Sequence, residues 1–280
     1  MKTDKEMKTK EITIEQFEKA LPVATSKDEY VFEMCEDAIE FRQELLEDSL
    51  LGDLGVDAYE FSDTLERDFV ALVCCSAFLD RMRSLDVVLT STGFGVVSTQ
   101  DTAPASQERV NNVEKEIRNE RMRRLDACIR TLKNVAGWGV SECGMCHIPH
   151  ICWNYYSMLS FMGVDEKTEQ KWWSVQPRIR EAVDELRKLL SPELMDKMRD
   201  EEAAPRIQNS VYSALALKCK VAVSYYVIKD MTAWKSKSRE LLDIVEKKID
   251  QFPEYRDSET YVAHHTKGYQ NDKEAKMFVF

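Results

Sequence analysis

A mainly α-helical bundle is the fold class this sequence predicts, and three observations carry it. Glycine (9) and proline (7) are scarce among 280 residues, which suits long uninterrupted helices better than a turn-rich β fold. Apolar residues recur at three- and four-residue spacing through most of the chain, the period of a helix face. Only residues 85–110, LDVVLTSTGFGVVSTQDTAPASQERV, read otherwise. There Val87-Val88-Leu89-Thr90 and Val96-Val97-Ser98-Thr99 are strand-like runs on either side of Ser91-Thr92-Gly93-Phe94-Gly95, whose glycines tolerate the positive φ of a tight turn.

The elements follow in order. Lys10 to Leu21 reads as a short opening segment with Thr13 as its cap. Phe32, Cys35, Ile39 and the Leu45-Leu46 pair predict a helix of about five turns before the break at Gly52–Gly55. A second helix is predicted from Ala58 to Arg83, with Phe61, Leu65, Phe69, Leu72, Leu79 and Met82 as one stripe and near-complete burial in its middle. One β-hairpin, at about residues 86–99, then projects from the helical body. A two-stranded hairpin is marginal in water. It therefore packs either on a neighbouring copy or back on its own helices, through Val88, Leu89, Gly93, Phe94, Gly95 and Val96. Pro104 and Ser106 stop and cap the chain before a third helix marked by Val110, Val113, Ile117, Leu125, Ile129 and Leu132. Arg121 interrupts that stripe, and Arg118, Arg123 and Arg124 make its surroundings locally basic.

In the second half, Ile179 to Leu190 is amphipathic and Ser191-Pro192 restarts a helix in cap-then-proline order. Ile207 to Ile228 is a second largely buried helix, and Leu241, Leu242, Ile244, Val245 and Ile249 close the bundle. The succession of helix, buried helix, connector and amphipathic helix occurs twice, which suggests an internal duplication. The last stretch, SETYVAHHTKGYQNDKEAKMFVF, shows no helical period and ends in the β-prone run Met277-Phe278-Val279-Phe280. It is expected to be an extended tail that docks as an added strand or plug, or packs on its own domain. These readings divide the chain into an N-terminal helical domain (1–136), a cysteine- and aromatic-rich connector (137–174), a second helical half (175–254) and the tail (255–280).

The net charge of −11 is concentrated: from Lys27 to Asp68 fifteen Asp/Glu face three Lys/Arg, a local −12. Such a block argues against a face that holds nucleic acid, because phosphate is neutralised only by Lys or Arg. It reads as a solvated helix face, or as an acidic surface that borders DNA without holding it. Phe69 to Phe78, the longest apolar run, is too short to cross a bilayer, so no membrane partner is expected. The charged N-terminus has no apolar signal segment. Eight cysteines are then expected as reduced thiols in a cytosolic protein, with Cys35, Cys74, Cys75, Cys128 and Cys219 as small core residues.

Cys143-Gly144-Met145-Cys146-His147 matches the c-type haem attachment pattern, but that chemistry needs export. Cys143, Cys146, His147, His150 and Cys152 offer metal-ligand chemistry, although structural zinc usually joins two ligand pairs across an intervening loop. The alternative is a loop rich in thiols and aromatics, and no metal or cofactor is expected. No nucleophile-and-base pair, GxGxxG or GxxxxGK[ST] occurs, so the chain is not expected to be an enzyme.

Leu85 to Arg109, LDVVLTSTGFGVVS followed by APASQERV, resembles an uncharacterised family encoded in Bacteroidales phages and prophages. The N-terminal arrangement is similar to head–tail connector (adaptor) proteins of tailed phages: ITIEQFEKAL, the Ser26-Lys27-Asp28-Glu29 link, the Phe32 to Leu46 helix and a long buried helix leading to LDVVLT. The final FPEY and YQND…FVF also fit, whereas Gly137 to Trp153 has no counterpart there. The resemblance implies a structural virion protein in the neck, made in the host cytoplasm, forming a homo-oligomeric ring, commonly of twelve copies, below the portal. Met277, Phe278, Val279 and Phe280 would then bind the portal, and the hairpin would contact a neighbouring subunit, the tail or a further neck protein. DNA would pass the acidic block in the lumen without specific binding. The alternatives are a metal- or redox-binding cytosolic protein centred on Cys143–Cys152, and a host helical scaffold protein.

Overall fold

The structure, a computed structural model, describes residues 11–21, 29–52, 58–84, 87–90, 93–96, 106–205 and 210–266. Helix α1 (Ile14–Ala20) opens with a capping box: the Thr13 hydroxyl accepts from the Gln16 amide at 3.3 Å, and Gln16 Oε1 accepts from the Thr13 amide at 3.0 Å. Phe17 is buried between the rings of Phe32 and Phe78.

The helix expected through Phe32 and Leu46 is broken. It forms α2 (Glu29–Glu33), a turn at Met34-Cys35, α3 (Glu36–Leu46) and a π-helical turn, Glu47–Leu51, that ends at Gly52 with φ 53°. The turn carries the adjacent Leu50 and Leu51 both into the core. The expected Ala58–Arg83 helix is likewise split. Ser62 is extended and its Oγ accepts from the Leu65 amide, ending α4 (Ala58–Phe61) and capping α5 (Asp63–Arg81). Phe61, placed on the buried stripe by spacing, is exposed, whereas every residue from Asp68 to Phe78 is buried.

After a short 3-10 turn, Met82–Ser84, the backbones of β1 (Val87–Thr90) and β2 (Gly93–Val96) pair antiparallel, Val87 opposite Val96 and Thr90 opposite Gly93. This register puts the glycines in the second strand, earlier than the expected Val96–Thr99, and leaves two residues between strands. Helix α6 (Gln107–Leu132) is capped by Ser106. Ile117, Cys128, Ile129 and Leu132 enter one core with α1 to α5; Met122, on another face, enters a second.

That second core gathers α8 (Tyr155–Phe161), α9 (Glu169–Leu190), α10 (Pro192–Ala203), α11 (Val211–Val227) and α12 (Met231–Lys247), after the short α7 (Glu142–His147). Helix α9 begins ahead of both the expected Ile179 and the boundary drawn at residue 175, and it runs through Pro177. Proline removes one backbone donor, but Trp172, Val175, Ile179 and Val183 continue a buried face across it. The expected extended tail also needs correction. Phe252 leads into α13 (Pro253–Arg256), and Ser258 caps α14 (Glu259–His265), with Tyr255 fully buried and its hydroxyl 3.0 Å from His264 Nδ1. Residues 277–280 lie outside the described residues.

Candidate interaction surfaces

The cysteine-rich connector clamps the π-helical turn. The last carbonyls of a helix have no donors within it, and three successive ones at the end of this turn are met by connector side chains. Cys143 Sγ donates to the Asp48 carbonyl at 3.4 Å, His147 Nε2 lies 3.1 Å from the Ser49 carbonyl, and Trp138 Nε1 donates to the Leu50 carbonyl at 2.6 Å. The seam is tight because glycines let backbones meet. A Cβ at Gly144 would stand 2.0 Å from the Trp138 carbonyl oxygen, and one at Gly139 2.4 Å from the Ala203 carbonyl oxygen.

The five candidate ligands are therefore not brought together. Cys143 and His147 face the π turn, Cys146 is exposed, and Cys152 is buried in the second core with its amide donating to His150 Nδ1. Among the described residues no group of three His, Cys, Asp or Glu could hold a metal ion. Burial pushes the Cys35 thiol up to about 11 and the Cys75 and Cys152 thiols up to about 12, and raises Cys74, Cys128 and Cys219 as well. Thiolate is the reactive form. A maleimide added to native protein should thus label Cys146 first and leave these six until denaturant is added; peptide mapping of early adducts checks this. Early labelling of Cys152 or Cys219 would contradict the packing.

The basic surface expected on α6 is internally neutralised. Arg124 bonds Asp68 at 2.6 Å and Glu120 at 2.7 Å, Arg123 bonds Glu120 at 2.8 Å, Arg118 bonds Glu114 at 2.8 Å, and Arg121 bonds Glu169. Asp68, Glu120 and Glu169 are buried, so the cluster joins α5, α6 and α9 and does not form a phosphate-binding face. Asp68→Ala removes one of the two carboxylates on Arg124 and leaves Glu120 in place, so it should cost about 1–3 kcal/mol in denaturant unfolding. A change within experimental error would mean that Glu120 alone satisfies Arg124.

Two exposed apolar faces were not visible in the sequence. On α3 and the turn before it, Met34, Phe41 and Leu45 are exposed, Phe41 by 58%, although spacing places Leu45 in the buried set. Exposed Glu33, Asp37, Glu40 and Glu44 flank them. On α11, Leu217 is 52% exposed and Ile228, just past its end, 49%. Ala214, Val221 and Tyr225 complete that outer face at helical spacing. The side chains of Val88, Leu89, Phe94 and Val96, and the tail residues Met277 to Phe280, are outside the described set. No helix among the described residues is long and apolar enough to cross a membrane.

A family model described as a family of unknown function (DUF6712) matches residues 27–148. The match runs from the start of the acidic block to the cysteine-rich connector, short of half the chain. No curated protein and no solved structure matches the chain.

Proposed function

We propose that this chain is a non-enzymatic structural virion protein, a head–tail connector that forms a ring below the portal of a tailed phage, around the path of the DNA. The observation that carries the reading is the β1–β2 pair. Two strands of four residues are marginal alone, and no third strand joins them among the described residues. In this reading the ribbon is completed in the assembly, with Val88, Leu89, Phe94 and Val96 against a neighbouring subunit, the tail or a further neck protein. The resemblance of Leu85 to Arg109 to phage-encoded proteins supports the same assignment, as does a cluster of arginines occupied by carboxylates, which suits DNA that passes without being held. The tail Met277 to Phe280 docks on the portal by strand addition. The protein waits in the host cytoplasm before assembly.

The purified chain mixed with portal protein should form annular complexes visible by light scattering and electron microscopy. Deleting residues 276–280 should abolish them. Complexes indifferent to that deletion would remove tail docking, and no association with the intact chain would remove the portal as partner.

A further inference from the structure

We propose that Cys143 and Cys146 form a dithiol–disulfide couple, and that its oxidation by a low-molecular-weight disulfide loosens the hold of the connector on the π turn. The couple goes beyond the connector reading and does not depend on it.

Helix α7 carries both thiols. Cys143 and Cys146 are three residues apart, so their side chains share one face of the helix, a turn from each other. Cys146 is exposed and Cys143 half-buried, whereas the six other cysteines are buried in the two cores. A disulfide arriving from solution therefore meets Cys146, and Cys143 is the thiol placed to answer it. Cys143 also has a structural task. Its Sγ donates to the Asp48 carbonyl at 3.4 Å, and it lies so close over Gly52 that a Cβ there would stand 2.5 Å from the sulfur. Gly52 ends the π turn with φ 53°, so the thiol sits in a notch between Asp48 and Gly52.

Oxidation empties that notch of its donor. A disulfide sulfur has no proton to give, so the bond to Asp48 is lost whenever Cys143 is oxidised. Closure also moves the helix. Cβ atoms three residues apart on a helix stand about 5–6 Å apart, and a disulfide holds them at about 3.5–4.5 Å. Gly144, between the two cysteines, already packs against the Trp138 carbonyl oxygen, so α7 cannot tighten without disturbing the seam. The exchange itself proceeds in two steps. The Cys146 thiolate attacks one sulfur of the small disulfide and expels one thiolate. Cys143, its proton lost to solvent, then attacks the Cys146 sulfur and expels the second. The protein gives up two electrons and two protons, and the small disulfide becomes two thiols.

The test exposes the reduced full chain to glutathione disulfide, followed by non-reducing peptide mapping and hydrogen exchange. Wild type should form the Cys143–Cys146 bond and retain no glutathione. Cys143→Ser should keep glutathione on Cys146, because nothing resolves the mixed disulfide, and Cys146→Ser should react at least roughly tenfold more slowly. Amides of residues 47–52 should exchange roughly two- to tenfold faster in oxidised than in reduced wild type. Dithiothreitol should restore the slow rate. In Cys143→Ser, whose hydroxyl can still donate to Asp48, the oxidant should leave that rate unchanged. Wild type that retains glutathione on Cys146, or that links two chains through Cys146, would overturn the couple. A Cys143–Cys146 bond with unchanged exchange over 47–52 would overturn its control of the turn. Both of these measurements are made on wild type, so neither depends on a variant that folds.

Discussion

Trp138→Ala is expected to cost about 3–5 kcal/mol, the range for removing a fully buried tryptophan, and to loosen the seam between the connector and the π turn. Trp138 has no exposed surface and packs in the first core beside Leu50 and Ile148. Its indole N–H is also the donor for the Leu50 carbonyl at 2.6 Å. Trp138→Phe separates the two contributions. It keeps most of the volume but leaves the carbonyl unsatisfied, at a cost of about 1–3 kcal/mol. Gly144→Ala loads the same seam from the other side, since its Cβ would collide with the Trp138 carbonyl oxygen; the penalty for such overpacking is about 1–3 kcal/mol or more. Urea unfolding of the three variants checks the order. Equal midpoints for wild type and Trp138→Ala would mean that the π turn does not depend on the connector.

The second large effect is hidden in wild type. Burial holds the His150 imidazole down at about 4, with the Arg180 charge adding to it, and holds the Asp126 carboxyl up at about 6. A histidine depressed on folding stabilises above its unfolded value near 6.5, and that stability is lost as pH falls toward 4. A carboxyl raised on folding acts in the opposite sense: its contribution is full below 3.8, the ordinary aspartate value, and is lost as pH rises through 6. Each shift corresponds to about 3 kcal/mol, at roughly 1.4 kcal/mol per pH unit. The windows overlap, so the two nearly cancel between pH 6.5 and 4. His147, also depressed by burial, adds to the acid-labile side. Relative to wild type, Asp126→Asn should lose stability steeply on acidification, while His150→Gln should flatten or reverse the loss. Asn154 Nδ2 donates to Asp126 Oδ2 at 3.2 Å, so the amide introduced by Asp126→Asn must turn its oxygen toward that donor. Denaturation midpoints measured across that range check both signs; parallel curves for all three proteins would contradict the burial of these groups.

Local chemistry made much of the fold legible. Thr13, Ser106 and the Ser191-Pro192 pair cap helices where their residue types require it, and α5 and α11 are core helices because their apolar residues span more than one face. The five cysteines in apolar patterns are buried. What escaped the sequence depends on partners distant along the chain. The α6 arginines look basic until Glu169 and Asp68 are brought beside them. Phe41 and Leu45 share the spacing of core residues, and nothing local says that α5 packs against the other side of α3. Helix α9 starts at Glu169, ahead of the expected Ile179, because a buried face continues across Pro177 to Trp172 and Val175. The π turn has no sequence signature; its carbonyl donors lie about ninety residues away, in the connector. That connector was legible as unusual, and its side chains clamp backbone instead of holding a metal.

The central claim is that this chain is a virion component of the neck. Mass spectrometry of purified particles released from cells that carry its gene tests it most directly. The account predicts the intact chain in the particles, at a ring-like copy number relative to the portal. Recovery of the chain only from the soluble lysate, with particles that lack it, would contradict the account and favour a host helical scaffold.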